Sequence, residues 1–399
     1  FVNYLNDGLV GTRIGSTPFG APQIPTRVSQ ENYGGFISGP IIKDKLFFAL
    51  SYETFTSLDV TTTGPTGENF GTNINGVTSA DIENIRRIFT TNYATKFDIG
   101  SIPRTKPITD EKYSAKIDWN ITDRQRASFT YRNAESTLIQ RTNISSTSAG
   151  LDSQWYLTGE KDQSYVAELN SDWSDNFSTR ARLAYRDYTR LQQPPSGQEF
   201  ADISVCNSAG GAAAIANLTS CENTTSVIRF GPDEFRHANF LQTKKLQGQI
   251  EGTYIWGNHT IKGGYQYQNQ DVFNLFVAAS NGVYYFDTVA DFAAGRANSL
   301  RYNNAVNGNK NSAAAAFTYD IHSLYLQDRW DITDELTVQA GLRYDMYKSS
   351  DKPALNPNFV ARYGFNNQET YDGRSVLMPR LSFNYVPEAF PIRLSGGIG

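Results

Sequence analysis

The chain has 399 residues, a formal net charge of −4 and a pI near 5.6, so it lacks the basic field that collects nucleic acid. Hydrophobic residues make up 39% of the sequence, and the mean hydropathy is −0.46. No window approaches the roughly 18 uncharged apolar residues of a membrane-spanning helix, which excludes a helical membrane protein.

Hairpins of alternating polar and apolar residues recur along the chain, beginning after FVNYLNDGLVG, which predicts the exit of a first strand. A run of about 10 residues rises roughly 33 Å, and at a tilt of about 40° it crosses the ~25 Å apolar band of an outer membrane. We therefore predict an all-β, antiparallel up-and-down transmembrane β-barrel with about 13 strands in this stretch. The further strands are predicted near residues 33–39, 45–55, 111–121, 125–135, 163–174, 177–188, 244–256, 259–270, 320–331, 335–347, 379–386 and 391–398.

The hairpin LYLQDRWDITDELTVQAGLRYDMY shows the alternation most clearly. From Leu336 to Met346 every second residue is apolar, and the residues between them, such as Gln339 and Arg343, are polar or glycine. A period of two places one set of side chains toward lipid and the other toward a wet lumen. Outward-facing positions are predicted at Trp119, Leu183, Leu342 and Phe383.

The connections between the predicted strands fall into two length classes. Short turns such as PIIKDK and DITDEL alternate with long connections, as in barrels with short periplasmic turns and long outer loops. A soluble β-propeller is the main competing fold, but its loops are short on both faces. We predict one partial barrel domain over 1–399, with outer loops at about 56–110, 136–162, 191–243, 271–318 and 348–378.

Two helices are predicted inside the long connections. Ser79 can be the N-cap of SADIENIRRIF, with Asp81 and Glu83 in the first turn. Asp287 can be the N-cap of TVADFAAGR, and Gly295 would end that helix.

Residues that could support catalysis or metal binding are sparse. His237, His259 and His322 are far apart and form no HxxH, HExxH or Cys/His cluster. No GxSxG, phosphate-loop or dinucleotide motif is present. The sequence predicts no catalytic site, metal or cofactor, and we expect a protein that is not an enzyme. An enzymatic site assembled across strands would leave no sequence spacing to detect, so that alternative stays open.

Cys206 and Cys221 lie 15 residues apart in one predicted outer loop. In an oxidising compartment this spacing predicts a disulfide, which would remove roughly 3 kcal/mol of denatured-state entropy in the chain-entropy model. A redox-active pair is the alternative, although the spacing is not that of a CxxC motif.

Two further groups of side chains could contact a substrate. The arginines of one strand face can attract anions into the lumen, or they can form ion pairs with acids of the partner strand such as Glu168 and Asp172, which we favour. Aromatic residues of the fourth long loop can capture substrate, or they can pack within the loop. These residues are Arg180, Arg182, Arg186 and Arg190, and Phe273, Phe276, Tyr284 and Tyr285.

Several segments resemble a known family. ENYGGFISGPIIKDKLFFALSYETF is similar to the first complete hairpin after the plug in Oar-like TonB-dependent transporters. LYLQDRWDITDELTVQAGLRYD resembles a mid-barrel hairpin found across TonB-dependent receptors, and PRLSFNYVPEAFPIRLSGGIG resembles the strands after it. DVFNLFVAASNGVYYFDTVADFAAGRA is also similar to Oar-like proteins, so the resemblance covers most of residues 1–399.

The resemblance implies a 22-stranded barrel closed by an N-terminal plug and energised through a TonB box by an inner-membrane complex. A lumen of that width would otherwise be open to solvent. This stretch contains no plug or TonB box, so the family's plug residues cannot be carried over, and the substrate-binding residues are unknown. Both ends look cut, and we therefore expect an open arc of strands with Gly399 at an unpaired edge.

The function implied by the resemblance is a TonB-dependent transporter or receptor in the outer membrane of a Gram-negative cell, moving a scarce substrate into the periplasm. The expected partners are outer-membrane lipid and lipopolysaccharide, the TonB complex through a missing N-terminal region, and a small-molecule, peptide or oligosaccharide substrate. Nucleic acid is not expected. A passive porin or a surface adhesion barrel is the alternative, and an outer-membrane enzyme is a more distant one.

Overall fold

The main element of the chain is a 13-stranded antiparallel sheet whose strands are hydrogen-bonded in sequence order. The computed structural model describes residues 2–5, 29–93, 96–207, 221 and 226–399. The order confirms the predicted up-and-down meander, and every predicted strand is present. The strands are β1 (Val2–Leu5), β2 (Gln30–Ile42), β3 (Leu46–Val60), β4 (Thr105–Asn120), β5 (Gln125–Gln140), β6 (Tyr156–Asp172), β7 (Phe177–Gln193), β8 (Asn239–Trp256), β9 (His259–Phe276), β10 (Ala315–Asp331), β11 (Leu336–Lys348), β12 (Ser375–Tyr385) and β13 (Leu394–Ile398).

The register places the apolar residues of every second position on one face of this sheet, here called the outer face. Trp119, Leu183, Leu342 and Phe383 all lie on it, and each is 45–55% exposed. The other face, here called the inner face, carries mainly polar and charged side chains. This confirms the predicted alternation between a lipid-facing and a lumen-facing side.

Aromatic side chains bound the apolar band of the outer face at two levels. Near the long loops, the ring of Tyr165 lies 4.8 Å from that of Tyr131 and 6.3 Å from that of Tyr185. Near the short turns, Trp119, Trp256 and Trp330 are exposed. Along β7, the step from Phe177 to Tyr185 rises about 27 Å, or about 20 Å at a tilt of about 40°, which is close to the thickness of the apolar band.

The strands continue farther toward the long loops than the alternation predicts. β8 and β9 each have 18 residues and stay paired up to Asn239 and Phe276, whereas the pattern predicts strands near 244–256 and 259–270. Apolar residues alternate with polar ones only where a strand contacts lipid, whereas hydrogen bonding between strand backbones can continue beyond the lipid. The outer connections are correspondingly shorter than predicted, at 61–104, 141–155, 194–238, 277–314 and 349–374.

The described parts of the first four outer connections fold together into one unit, here called the loop module. Its six-stranded sheet joins strands from three connections, partly in parallel, and its helices are α1 (Ser79–Asn92) and α2 (Val289–Ala293). Phe89, Leu151, Phe230 and Phe292 each come from a different connection and share one buried core. The sheet strands are Ile144–Ser145, Ser148–Gly150, Asp202–Cys206, Val227–Phe230, Val283–Phe286 and Ser299–Arg301, and a separate pair joins Thr63–Pro65 to Thr72–Ile74.

Both predicted helices are present, but both predicted N-caps are wrong by one residue. The N-cap of α1 is Thr78, whose hydroxyl accepts a hydrogen bond from the Asp81 amide while the Asp81 carboxylate accepts one from the Thr78 amide. The N-cap of α2 is Thr288, whose hydroxyl accepts from the Asp291 amide. An acid three residues after a threonine forms this capping arrangement, and Ser79 and Asp287 lack that spacing. Gly295, at φ 67°, follows the end of α2 as predicted.

The fifth outer connection, 349–374, contains α3 (Pro357–Tyr363). Two short 3₁₀ segments, Glu234–Arg236 and Lys310–Ala313, lie in the loop module. Within the described ranges, no helix combines the length and apolar character needed to cross a membrane. β1 and β13 are the end members of the sheet order, and the prediction that Gly399 lies at an unpaired edge stays a prediction.

Candidate functional site

The inner face of the sheet carries the predicted row of arginines on β7. Arg180 donates to Glu168 at 2.7 Å, and Arg186 donates from Nε to Asp162 at 2.9 Å. Two of the four arginines therefore form ion pairs with acids of β6, as favoured, but Asp172 is not one of the partners. The register explains this correction, because Asp172 lies opposite Ser178, closer to the turn than any of the arginines.

A second polar network continues along the inner face across β8 to β11. The Tyr325 hydroxyl donates to Glu251 at 2.6 Å, and Glu251 also forms an ion pair with Lys262 at 3.3 Å. Arg343 donates to Gln266 at 2.9 Å and to Ser323 at 2.7 Å. The wall is thus a hydrogen-bonded surface of fixed donors and acceptors, as expected for a wet lumen.

The loop module contains a buried carboxyl group, Asp202, which joins two of its connections. Its oxygens accept hydrogen bonds from Gln154 Nε2 at 2.7 Å and from the Glu234 amide at 3.1 Å. Burial raises the pKa of Asp202 to about 7, although the nearby Arg229 lowers it. Because its side chain is enclosed, Asp202 is an internal structural group and not a surface ligand.

His237 is the one histidine of the three that is fully buried. Its Nε2 lies 3.1 Å from the Pro232 carbonyl oxygen, and its Nδ1 accepts a hydrogen bond from the Asn281 amide at 3.2 Å. Burial lowers the pKa of His237 to about 4. A neutral imidazole held on both sides by backbone groups braces the loop.

The other two histidines lie on the outer face of the sheet. His259 contacts Asp328 at 2.7 Å and stacks between two tryptophans, with ring centroids 5.8 Å and 5.1 Å away. His322 Nδ1 lies 2.7 Å from the Tyr265 hydroxyl. The structure does not bring the histidines together, and the described residues contain no group of three or more potential metal ligands.

Cys206 and Cys221 are joined in the structure, with their Cα atoms 5.7 Å apart. Cys206 ends a strand of the loop-module sheet, and its sulfur lies 3.1 Å from the Tyr285 hydroxyl. The residues between 207 and 221 lie outside the described ranges. Its formation in the exported protein stays a prediction.

The four loop aromatics proposed from the sequence divide between packing and exposure. Tyr285 is 3% exposed, and Tyr284 packs against the loop-module core. Phe273 packs against Phe240 at 6.0 Å between ring centroids. Phe276 is 54% exposed, stacked on a neighbouring ring. Internal packing, the alternative given for these residues, accounts for three of them.

The sequence did not indicate a cleft at the outer end of β10 and β11. This cavity of about 750 Å³, here called the aromatic cleft, lies between the end of β10 and the connection 349–374. Phe317, Tyr319 and Tyr347 line it from the inner face of β10 and β11, and Tyr371 lines it from the connection. Its lining comes from three segments that are distant in sequence, so no local motif marks it.

The family of this chain follows from its sequence match and agrees with this architecture. The outer membrane beta barrel domain matches residues 63–399. The chain belongs to this family. Membership in the outer membrane β-barrel family, together with the apolar band, places the protein in the outer membrane of a Gram-negative cell. No curated protein matches the chain.

Solved structures match the chain at low sequence identity. The outer membrane transporter YddB from Escherichia coli matches with a TM-score of 0.55 and 11% identity, over 90% of this chain and 36% of that chain. The siderophore receptor PirA from Acinetobacter baumannii matches with a TM-score of 0.46 and 14% identity, over 93% of this chain and 40% of that chain. This outer membrane β-barrel therefore spans about two fifths or less of these proteins' length.

Proposed function

We propose that this chain is part of the barrel of a TonB-dependent outer-membrane transporter or receptor of the Oar-like kind. The observation that carries the proposal is the single 13-stranded meander, which shares its fold with the transporter YddB over 90% of its length. The hairpin sequences that resemble those of Oar-like TonB-dependent transporters support the same proposal.

The width of the sheet is compatible with energised uptake and is too large for a lumen filled by its own side chains. Eight strands are enough for a barrel filled by its own side chains, and 13 strands in one sheet require a wider lumen. A wide lumen either conducts freely or is closed by a plug. We propose a plug and a TonB contact contributed by a region N-terminal to this stretch, with lipid and lipopolysaccharide around the outer face.

The inner face and the outer connections have complementary roles in this proposal. The outer connections bind or admit the substrate at the cell surface, and the hydrogen-bonded inner wall lines its path. The substrate is a scarce small molecule, peptide or oligosaccharide, and the protein performs no catalysis on it.

Whole-cell uptake by the full-length protein tests this function. A strain that lacks the protein is first screened for growth on defined iron, sugar and peptide sources. The source on which it fails to grow is then supplied in labelled form to cells that express the full-length protein. Accumulation should depend on both the protein and a working TonB complex. Undiminished uptake after deletion of TonB would assign the protein to the passive porins, and cell-surface attachment without uptake would assign it to the adhesion barrels.

A further inference from the structure

Five glutamines form one group on the inner face of β8 and β9, here called the glutamine patch. Gln247 lies opposite Gln268, and Gln249 lies opposite Gln266. Gln270 is the next inner-face residue of β9 toward the long loops. Neighbouring strands lie about 4.8 Å apart and inner-face residues of one strand about 6.6 Å apart, so the patch is a grid of closely spaced amide groups.

The glutamines of the patch use few of their hydrogen-bonding atoms within the protein. Gln247 donates to Gln268 at 3.4 Å, and Gln249 donates to the Tyr325 hydroxyl at 3.2 Å. Among the residues that the structure describes, Gln270 has no side-chain partner, and each of the other four keeps an amide oxygen or nitrogen without one. Because a side-chain amide both donates and accepts, the patch can bind groups that do the same.

The aromatic cleft continues the patch toward the cell surface. Tyr319 lies opposite Gln270, and in the next row Ile321 lies between Gln268 and Tyr347. A cavity of about 240 Å³ opens over the patch, and Ile321 lines both this cavity and the aromatic cleft of about 750 Å³. Rings and amides therefore form one continuous surface at the outer end of the inner face.

Four rings provide the apolar part of this surface. Phe317 is 41% exposed and stacks with Tyr319 at 6.4 Å, and Tyr371 is 80% exposed and lies 6.4 Å from Tyr347. The face of an aromatic ring is electron-rich, so it packs well against the C–H groups of a sugar ring. Along β10 the step from Phe317 to Ser323, beside the patch, is about 20 Å, which is room for several sugar units.

The charges on this surface favour no ion. The cleft lining contains two lysines and two acids, whose formal charges cancel: Lys348, Lys352, Asp351 and Glu369. Beside the patch, Arg343 forms an ion pair with Asp345 at 2.8 Å, and Arg182 and Lys245 lie at its edge. A ligand held by the rings and the amides would therefore be polar and uncharged.

We propose that the glutamine patch and the aromatic cleft together bind a neutral oligosaccharide, with sugar rings on Phe317 and Tyr319 and hydroxyls on the glutamines. A hydroxyl donates and accepts as an amide does, and a sugar ring combines an apolar face with polar edges. A peptide would find no free backbone here, because each strand that carries the patch is already paired with two neighbours. The inference rests on the proposed function for the role of the inner face as the substrate's path, and it names the substrate class.

Isothermal titration calorimetry on the purified full-length protein tests the proposal, in a detergent that has no sugar head group. The probes are four neutral oligosaccharides of different composition or linkage: maltohexaose, laminarihexaose, xylohexaose and mannohexaose. At least one should bind at millimolar concentration or below. Gln268→Leu and Gln270→Leu should each weaken that binding by about threefold to tenfold, because each removes hydrogen bonds to hydroxyls. Tyr319→Ala should weaken it by about tenfold and Tyr319→Phe should not, because stacking needs the ring and not its hydroxyl.

Gln339→Leu is the matched control, since it makes the same change on the inner face of β11, near the short turns and outside both the patch and the cleft. Lys245→Gln, or a rise in salt from about 50 mM to about 0.5 M, should leave the affinity for a neutral sugar unchanged. Unchanged circular dichroism and thermal midpoints in the variants ensure that a loss of affinity is not a loss of folding.

Four outcomes would overturn the proposal. None of the four sugars binds at millimolar concentration, or the patch and ring variants bind as the wild type does. A galacturonate oligomer binds more tightly than every neutral sugar and is weakened by Lys245→Gln, which would indicate an acidic glycan. A tyrosine peptide with both ends capped binds more tightly than every sugar and is weakened by Gln268→Leu, which would indicate a peptide.

The two proposals fail separately. Sugar binding with the expected variant pattern, combined with uptake that ignores TonB, would keep the oligosaccharide site and refute the energised transporter. TonB-dependent uptake of another substrate by a protein that binds none of the four sugars would do the reverse.

Discussion

Two buried ionisable groups should give the loop module opposing dependences on pH. The pKa of Asp202 is raised by burial from 3.8 to about 7, with Arg229 and Arg301 lowering it and Asp233 raising it further. The pKa of His237 is lowered by burial from 6.5 to about 4, and Lys310 adds to that lowering. Both groups are held neutral in the folded module.

The signs follow from which state binds more protons. Between pH 3.8 and about 7 the folded module holds a proton on Asp202 that the unfolded segment loses, so this contribution to stability is lost as pH rises. Between pH 6.5 and about 4 the unfolded segment takes a proton that folded His237 refuses, so this contribution is lost as pH falls. A difference of one in pKa corresponds to about 1.4 kcal/mol, so the Asp202 contribution reaches about 4 kcal/mol and the His237 contribution about 3 kcal/mol. Because the two contributions change in opposite directions with pH, they nearly cancel between about pH 4 and 6.5.

Hydrogen exchange of the loop-module strands in the full-length protein measures both terms. After correction for the intrinsic pH dependence, protection of Asp202–Cys206 and Val227–Phe230 should be nearly flat in the wild type from pH 4.5 to 6.5. Asp202→Asn should make protection rise with pH, and His237→Gln should make it fall. Asp202→Asn can still accept the Gln154 hydrogen bond, so loss of the Glu234 contact should cost only about 1 kcal/mol.

The outcome that refutes this reasoning is specific. If both variants keep the wild-type profile, neither group is held neutral by burial, and the enclosed polar core described above is wrong. If Asp202→Asn lowers protection equally at every pH, Asp202 contributes only through its hydrogen bonds and not through its proton.

Three further predictions test the faces, the core and the disulfide. Leu326→Arg, on the outer face, should destabilise the barrel by about 2–4 kcal/mol when unfolding is measured in lipid vesicles. Gln327→Arg, on the inner face, should destabilise it far less. Equal destabilisation by the two variants would contradict the assignment of the faces. Phe292→Ala should weaken exchange protection across the loop module by about 3–5 kcal/mol, because this ring is fully buried, while Leu300→Ala, at 57% exposure, should have little effect. Cys221→Ser should lower the hydrogen-exchange protection of the neighbouring sheet by up to about 3 kcal/mol. Alkylation of both thiols in protein on the cell surface, without added reductant, would show that the disulfide does not form.

The strands and their faces were predictable because the information is local. A period of two in residues such as Leu342 and Tyr344 fixes which side chains face lipid, and a short turn fixes the register of the two strands that it joins. The same register could have corrected one error, since the turn after Asp172 places this acid opposite Ser178 and below the arginines. The N-cap errors were also avoidable, because the spacing from Thr78 to Asp81 is visible in the sequence.

The loop module was not predictable in the same way because its order comes from contacts between distant segments. Asp202 pairs with Val283, and Val227 pairs with Ser148, in parallel registers that no turn connects. Short strands of two to five residues carry little periodicity, so the sequence predicts only long connections there. The core that orders them is formed by apolar residues contributed by four separate connections, such as Phe89, Phe230 and Phe292.

This difference between local and distant contacts also bears on how the outer mouth can respond to a ligand. Four connections share one core and three of them share one sheet, so a movement of one would have to break packing in the others. Within the described residues, the connection 349–374 instead hydrogen-bonds to itself and to the outer ends of β10 and β11. Because the loop module is cross-braced and this connection is anchored only at its base, ligand contacts in the aromatic cleft would most readily shift the wall that carries Tyr371. Under the proposed function, a movement that admits the substrate would therefore involve this connection, and the loop module would be the fixed part of the outer mouth.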